Sequence, residues 1–164
     1  MKDPVVVAHS DTRTASDYAD NATGWTYLFI LGLGVAAVGM TEVVLTFFPA
    51  QWANLDWEFP TIAGFFDNLP LITIGIGSMA AAAMANHWRV MRRVMVGLLL
   101  FMSLLILVML VIFALDVPVV LRAVDPAARH SLKLASLKSG LEAGTYFLLY
   151  LALGVWTWRR LRRA

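Results

Sequence analysis

The chain has 164 residues, of which 60% are hydrophobic and 15% are charged, with a formal net charge of +2 and no cysteine. An average soluble domain has about 45–50% apolar and about 25% charged residues, so the composition excludes an ordinary water-soluble domain and a disordered chain. The lack of cysteine excludes a disulfide-bonded scaffold and thiolate chemistry. The sequence therefore predicts an integral membrane protein.

Residues 1–24 are predicted to form a polar, flexible tail. Their longest apolar stretch runs only from Val5 to Ala8, which is shorter than the roughly 7–15 apolar residues of a signal peptide. We therefore expect no removable leader, and we treat 25–164 as one transmembrane domain.

Four apolar runs predict transmembrane helices, because roughly 20 apolar residues cross the hydrocarbon core as a helix. The predicted spans cover about 25–48, 61–86, 94–115 and 141–158. These runs do not alternate every second residue, as the strands of a membrane β-barrel would. The predicted fold class is therefore all-α, an integral membrane bundle of four transmembrane helices.

The second apolar run contains the helix-breaking sequence Asp67-Asn68-Leu69-Pro70. One interpretation is a short interfacial helix over about 61–66, followed by a span that Asn68 caps and that begins near Leu69. The other is a single long helix that kinks at Pro70. We favour the first, because residues 69–86 alone nearly reach across the membrane.

Residues 116–140 form the longest connection, and Asp125-Pro126 within it predicts the start of a helix. The simplest interpretation is a helix that begins outside the membrane and continues into the fourth span. The alternative is a break near Ser139-Gly140, with the outer part lying amphipathically on the bilayer.

The basic residues predict the orientation, because Lys and Arg are enriched in cytoplasmic loops. Nine of the 13 lie in the tail, the turn after the second span and the C-terminus, and four lie between the third and fourth spans. With four spans, both termini are predicted to be cytoplasmic, in a multi-pass protein of the cell membrane, which we take to be a bacterial inner membrane.

Three carboxylates lie in or beside the apolar runs: Glu42, Asp67 and Glu142. A charge at the bilayer centre costs around 2.5–3.5 kcal/mol on insertion scales, so such residues are candidates for function. All three lie towards the same, outer ends of their predicted helices. They are predicted to form a proton or cation site if they converge, whereas the simpler interpretation is snorkelling or structural pairing.

The predicted outer loop between the first two spans is rich in aromatic residues, including Trp52, Trp57 and Phe59. Amphipathic rings gather at the level of the lipid headgroups. These three residues are therefore predicted either to anchor the loop at the interface or to dock a partner.

Small residues recur at helical spacing in the first two spans and predict close helix packing. They are Gly32, Ala36 and Gly39 in the first span and Gly77, Ala81 and Ala85 in the second. The simpler interpretation is packing of the two helices against each other. The alternative is a face that receives another protein.

No hydrolase motif, phosphate-binding loop or metal-ligand spacing occurs in the sequence, so we predict no cofactor, no metal and no nucleic-acid partner. The single histidine near a span end, His87, has no second histidine at a matching depth, which disfavours haem.

The leading functional hypothesis is a non-catalytic accessory or assembly subunit that acts through helix–helix association. Its predicted partners are the lipid bilayer and other membrane subunits or copies of itself. One alternative is a small proton- or cation-coupled transporter that uses the outer-leaflet carboxylates. The other is a membrane protein that binds a lipid or a quinone.

Overall fold

A computed structural model describes residues 15–51, 54–86 and 88–163, and these residues contain no strand. They form four helices: α1 (Ala15–Phe47), α2 (Leu55–Ala85), α3 (Arg89–Ala123) and α4 (Arg129–Arg163). The predicted all-α class is confirmed for this part of the chain.

Three of the four described helices are long and apolar enough to cross a membrane, in the segments Ala22–Phe47, Asp56–Ala85 and Arg89–Ala123. The fourth helix is not, so composition alone does not establish the predicted crossing at 141–158. Only 16 uncharged residues separate Glu142 from Arg159, and they include glycine, threonine, tyrosine and tryptophan, which lower the mean hydropathy. At about 1.5 Å per residue they extend about 24 Å, less than the roughly 30 Å hydrocarbon core.

The first helix is longer than the predicted span. It begins at Ala15, so the part of the predicted tail from 15 to 24 is helical, while residues 1–14 lie outside the described residues. At its other end α1 stops at Phe47, two residues before Pro49, because proline disfavours the helical conformation in the residue that precedes it.

The second helix is continuous, and the favoured interpretation of a separate interfacial helix before Leu69 is wrong. Pro60 and Pro70 both lie inside α2, which Asn54 caps by accepting a hydrogen bond from the Asp56 amide. Asn68 caps no helix, since its side-chain amide donates to the Gly64 carbonyl at 3.0 Å. Membrane helices tolerate proline where neighbouring groups satisfy the freed backbone atoms.

The turn between α3 and α4 follows the predicted helix-start signal, displaced by a few residues. The Asp125 carboxylate accepts a hydrogen bond from the Ala127 amide at 3.1 Å, and α4 begins at Arg129. The guanidinium of Arg129 donates to the Val124 carbonyl at 3.1 Å. Since α4 runs through Ser139-Gly140 without a break, the alternative of a break there is wrong and the predicted continuity of the helix is confirmed.

The second helix is the centre of the arrangement. Among the described helices α1 packs against α2 alone, whereas α2 also contacts α3 and α4, and α3 and α4 pack against each other. The fully buried side chains come mainly from α2 and include Ile62, Phe65, Leu69 and Ile72. The fold is therefore two closely packed helix pairs, α1–α2 and α3–α4, which are joined through α2.

The α1–α2 interface is held by small residues that let the two backbones approach each other. Gly32, Ala36 and Gly39 of α1, the residues predicted for helix packing, are all buried against α2. A methyl group on Gly75 would lie 2.5 Å from the Ala36 nitrogen and 2.7 Å from the Gly32 oxygen. Gly75 is therefore the residue of α2 that makes this close approach possible.

The residues predicted for packing on α2 lie on a different face from Gly75. Gly77 and Ala81 are exposed, and Ala85 is half-buried. A methyl group on Gly77 would meet nothing within 4 Å. Residues two positions apart in a helix are separated by about 200° around its axis. Gly77 therefore points away from α1 when Gly75 points towards it. The predicted stripe thus forms an outer face of the α1–α2 pair.

Candidate functional site

Two of the three predicted carboxylates lie at one level on the outer surface of the α1–α2 pair. The level follows from contacts that bracket them: Gly39 lies against Ile72, and Thr46 lies against Gly64. Since α1 and α2 run antiparallel, Glu42 of α1 lies opposite the turn of α2 that contains Asp67.

Glu42 and Asp67 are both exposed within helices that are apolar enough to cross a membrane. Neither side chain makes a hydrogen bond or an ion pair with any other residue that the structure describes. An exposed carboxylate without a partner is costly in apolar surroundings. The two carboxylates would therefore be stabilised by hydrogen-bond donors or a positive charge, which the described part of the chain does not provide.

Glu142 lies at a similar level on α4. The hydroxyl oxygens of Thr73 and Tyr150 are 3.0 Å apart and join α2 to α4, and both helices run antiparallel to α3. Asp67 precedes Thr73 by six residues and Glu142 precedes Tyr150 by eight. Each carboxylate therefore lies about 9–12 Å along its helix from that hydrogen bond, in the same direction.

The three carboxylates share a level, but they do not form a metal site. In the part of the chain that the structure describes, no three His, Asp or Glu side chains are grouped so that they could hold a metal ion. A role for single carboxylates in moving a proton or a cation stays a prediction.

A stripe of exposed residues on α2 continues from Asp67 along the outer face of the α1–α2 pair. It contains Ile74, Gly77 and Ala81, which lie on the same side of α2 as Asp67 by helical spacing. Glycine and alanine leave the helix backbone accessible to a second membrane helix. We call this surface, from Glu42 and Asp67 to Ala81, the outer face.

Two of the three predicted aromatic residues lie in α2, not in a loop, and pack against rings of other helices. Phe59 stacks on Phe113 of α3 with ring centroids 5.1 Å apart, and Trp57 meets Phe47 edge to face at 6.1 Å. Both residues are half-buried. Trp57 thus joins α2 to α1, and Phe59 joins α2 to α3. Trp52 lies outside the described residues.

Sequence reasoning missed an apolar groove between α3 and α4, with a volume of about 470 Å³. Its polar lining comes from Lys133 and Ser136, and the Ser136 hydroxyl is buried without a hydrogen-bond partner. Its apolar walls include Leu110, Phe113, Val117, Leu121, Leu137 and Leu141. No sequence signal indicates a groove, because the same leucine spacing also describes a tightly packed helix pair.

A second residue that sequence reasoning missed is Asp116, in the C-terminal part of α3. One of its carboxylate oxygens is buried and has no hydrogen-bond partner among the described residues. Glu58 of α2 lies close enough to act on it electrostatically. Asp116 follows the apolar run directly, and that position made it look like the first residue of a loop.

Comparison of the chain with models of protein families, with curated proteins and with solved structures finds no match. The outer face and the α3–α4 groove are therefore the two surfaces whose chemistry indicates a function.

Proposed function

We propose that this protein is a non-catalytic accessory or assembly subunit of the membrane that associates with another membrane helix through its outer face. The observation that carries the proposal is the pair of exposed, unpaired carboxylates at one level of α1 and α2. A partner helix with hydroxyl, amide or basic side chains at that level provides the polar complement that lipid tails lack.

The shape of the outer face supports the same proposal. In a bilayer, helices gain little from the hydrophobic effect, so their association depends on close packing and on hydrogen bonds between helices. Gly77 and Ala81 permit close packing, and Glu42 and Asp67 supply hydrogen-bond acceptors. The partner is either a different membrane subunit or a second copy of this chain.

The proposal includes four crossings with both termini in the cytoplasm, in a bacterial inner membrane. The apolar segments of the first three helices support three of these crossings. Support for the fourth comes from packing, since Gly154 of α4 lies against Leu100 within the apolar segment of α3. The excess of basic residues at one end of the helices supports the orientation.

The test compares amide and leucine substitutions at the two carboxylates. Glutamine at Glu42 and asparagine at Asp67 keep hydrogen-bonding groups but lose the charge, whereas leucine loses both. We expect native mass spectrometry from mild detergent to show a complex for the wild type and for the amide variant. The double leucine variant should be mainly monomeric, and a monomeric wild type would contradict the proposal.

The same variants separate association from ion transport. A transporter that moves a proton or a cation through these carboxylates loses flux in proteoliposomes when they become amides. An accessory subunit keeps its complex under that change. Loss of a wild-type flux in the amide variant, with the complex intact, would therefore replace the proposed function with transport.

A specific observation favours a second candidate function, the binding of a lipid or a quinone. The α3–α4 groove is apolar along most of its walls, and its lining includes Lys133 and Ser136, whose hydroxyl is buried without a hydrogen-bond partner among the described residues. Such a groove suits a long apolar molecule with a polar head. A volume of about 470 Å³ falls in the range of roughly 300–1,000 Å³ that small-molecule sites occupy.

Two glycine positions of α4 provide a matched test of this second candidate. A methyl group on Gly140 or on Gly144 would meet nothing within 4 Å, but only Gly140 lines the groove. We expect Gly140→Phe to abolish quenching of tryptophan fluorescence by decylubiquinone or by spin-labelled stearate, and Gly144→Phe to preserve it. Equal quenching in both variants would exclude the groove as the binding site.

A further inference from the structure

A small cavity lies where α2 ends, α3 begins and α4 ends. Its volume is about 130 Å³, and its lining consists of Met84, Arg92, Thr157, Arg160 and Leu161. Two arginines from different helices, Arg92 of α3 and Arg160 of α4, therefore line one small cavity. Thr157, whose side chain carries a hydroxyl, is only 6% exposed.

Arg92 has no counter-charge in the part of the chain that the structure describes. Its Nε atom is buried and has no hydrogen-bond partner, and the side chain forms no ion pair with another described residue. A buried donor that lacks an acceptor loses the hydrogen bond it makes in water. The arginine is thus left with unused hydrogen-bonding capacity at the wall of the cavity.

The position of Arg92 in its helix is a second reason why an anion would stabilise it. It lies at the beginning of α3, and no side chain caps that helix end. The free amides at a helix N-terminus carry a partial positive charge, which disfavours a nearby cation and favours an anion. The arginine and the helix end thus both favour a bound anion.

Arg160 is held in place by an aromatic ring. Its guanidinium carbon lies 4.2 Å from the ring centroid of Trp156, one helical turn earlier on α4. The cation–π contact orients the planar group and leaves its edge N–H groups available to an acceptor. A guanidinium donates through a fixed fork of N–H groups, which suits the oxygens of a phosphate or a carboxylate.

The size and position of the cavity indicate the class of ligand. A volume of about 130 Å³ is below the roughly 300–1,000 Å³ of sites that bind larger small molecules, so the cavity suits a small group such as a phosphate. The cavity lies at the end of the helices where Arg89, Arg93, Arg159 and Arg162 also gather. That arginine-rich end is where a membrane protein meets lipid headgroups.

We propose that this cavity binds a phosphate-bearing anion, with Arg92 and Arg160 donating hydrogen bonds to its oxygens. The ligand is either the headgroup phosphate of an anionic phospholipid or free inorganic phosphate. The site is independent of the outer face and of the α3–α4 groove, because it is formed by other residues at the arginine-rich ends of the helices.

The test uses the full chain in mild detergent, with native mass spectrometry counting bound phosphatidylglycerol molecules. The variants are Arg92→Gln and Arg160→Gln, which alter two different helices, and the matched control is Arg93→Gln. Arg93 is exposed and does not line the cavity, but its substitution removes the same charge from the same helix end. Far-ultraviolet circular dichroism checks that each variant keeps its helices.

We expect one tightly retained phosphatidylglycerol in the wild type and in the control. Either cavity variant should weaken its retention by about tenfold or more, the effect of losing one charge-assisted hydrogen bond. If Arg92→Gln and Arg93→Gln weaken retention equally, the binding is a diffuse attraction to basic residues and the proposal is overturned. Unchanged retention in both cavity variants overturns it as well.

A second experiment distinguishes a lipid headgroup from free inorganic phosphate as the ligand. Inorganic phosphate is titrated into delipidated protein, and thermal stability is measured with phosphatidylglycerol, phosphatidylcholine or phosphate as the added probe. Stabilisation by phosphatidylglycerol alone, lost in Arg92→Gln, identifies a lipid site. Stabilisation by inorganic phosphate with the same dependence on Arg92 identifies a site for the free ion, and no stabilisation by any probe overturns the proposal.

Discussion

The two main helix pairs of this protein associate in different ways. In the α1–α2 pair, glycine faces glycine across the interface, and the backbones of Gly32 and Gly75 are so close that neither residue has room for a methyl group. In the α3–α4 pair, leucine and phenylalanine side chains keep the helices apart over part of their length and leave a groove of about 470 Å³.

This difference shows how one chain combines a rigid contact with an adaptable one. Backbone contact between small residues cannot yield, because the atoms nearest to Gly75 are main-chain atoms and the Cβ atom of Ala36. Side-chain contact can yield, because long side chains change their rotamers. The rigid pair presents the fixed outer face, whereas the adaptable pair contains space that an apolar molecule can fill.

The largest expected effect is at Gly75. Its replacement by alanine places a methyl group 2.5 Å from the Ala36 nitrogen, so the two helices have to move apart. We expect a loss of about 2–3 kcal/mol in the free energy of unfolding, as for an overpacked core, measured by denaturation in mixed micelles. Gly34→Ala, at an exposed position of α1 where a methyl group would meet nothing within 4 Å, is the control and should not destabilise the protein.

A smaller effect is expected at Gly154, the corresponding close contact of the α3–α4 pair. A methyl group there would lie 2.8 Å from the Leu100 Cδ2 atom and 3.1 Å from its Cγ atom. Since the leucine side chain is flexible and a groove lies elsewhere in the interface, we expect Gly154→Ala to cost about 1 kcal/mol in the same assay. If Gly154→Ala and Gly75→Ala lower the free energy of unfolding equally, the α3–α4 contact is no more adaptable than the α1–α2 contact.

The smallest effect is expected at the hydrogen bond that joins α4 to α2. Tyr150→Phe removes one partner of the 3.0 Å contact between Thr73 and Tyr150. Hydrogen bonds between membrane helices contribute about 0.6 kcal/mol on average, so we expect a loss of that order. A double-mutant cycle with Thr73→Val isolates the pair, and a coupling energy of zero would show that packing alone holds α4 to α2.

Much of the architecture could be predicted from the sequence because apolar runs and stop signals are local. The end of α1 before Pro49 and the Asp125 turn before α4 both follow from such signals. The continuity of α2 through Pro70 could not be predicted in this way. In a membrane helix, neighbouring groups can satisfy the carbonyl that proline leaves free, whereas a break in the helix would leave further backbone groups without partners in lipid.

The face of α2 that packs on α1 was also beyond prediction. The sequence Gly75-Ile76-Gly77 offers glycine on two nearly opposite sides of the helix, and the repeat of Gly77, Ala81 and Ala85 is the more regular of the two. Which side turns towards α1 depends on the large residues of α2 that form the core with α3. That choice is a property of the tertiary structure and not of the local spacing.

The candidate site was accessible to sequence reasoning only as single residues. Glu42 and Asp67 stand out because they are acidic residues within apolar runs, but their shared level follows from the contacts between α1 and α2. The groove and the Arg92 cavity arise where side chains of different helices fail to fill space. Spacing along one helix carries no information about such gaps.

The central claim is that the outer face receives another membrane helix, and one pair of alanine positions tests it most directly. Ala81 lies on the outer face, whereas Ala37 is an exposed residue of α1 that lies about 140° around that helix from Glu42. Native mass spectrometry of Ala81→Leu and Ala37→Leu measures the mass of the assembly that each variant forms.

We expect Ala81→Leu to release the monomer, because leucine on the outer face keeps the partner helix at a distance. Ala37→Leu should keep the mass of the wild-type assembly. An intact assembly in Ala81→Leu, or equal dissociation in both variants, would contradict the central claim.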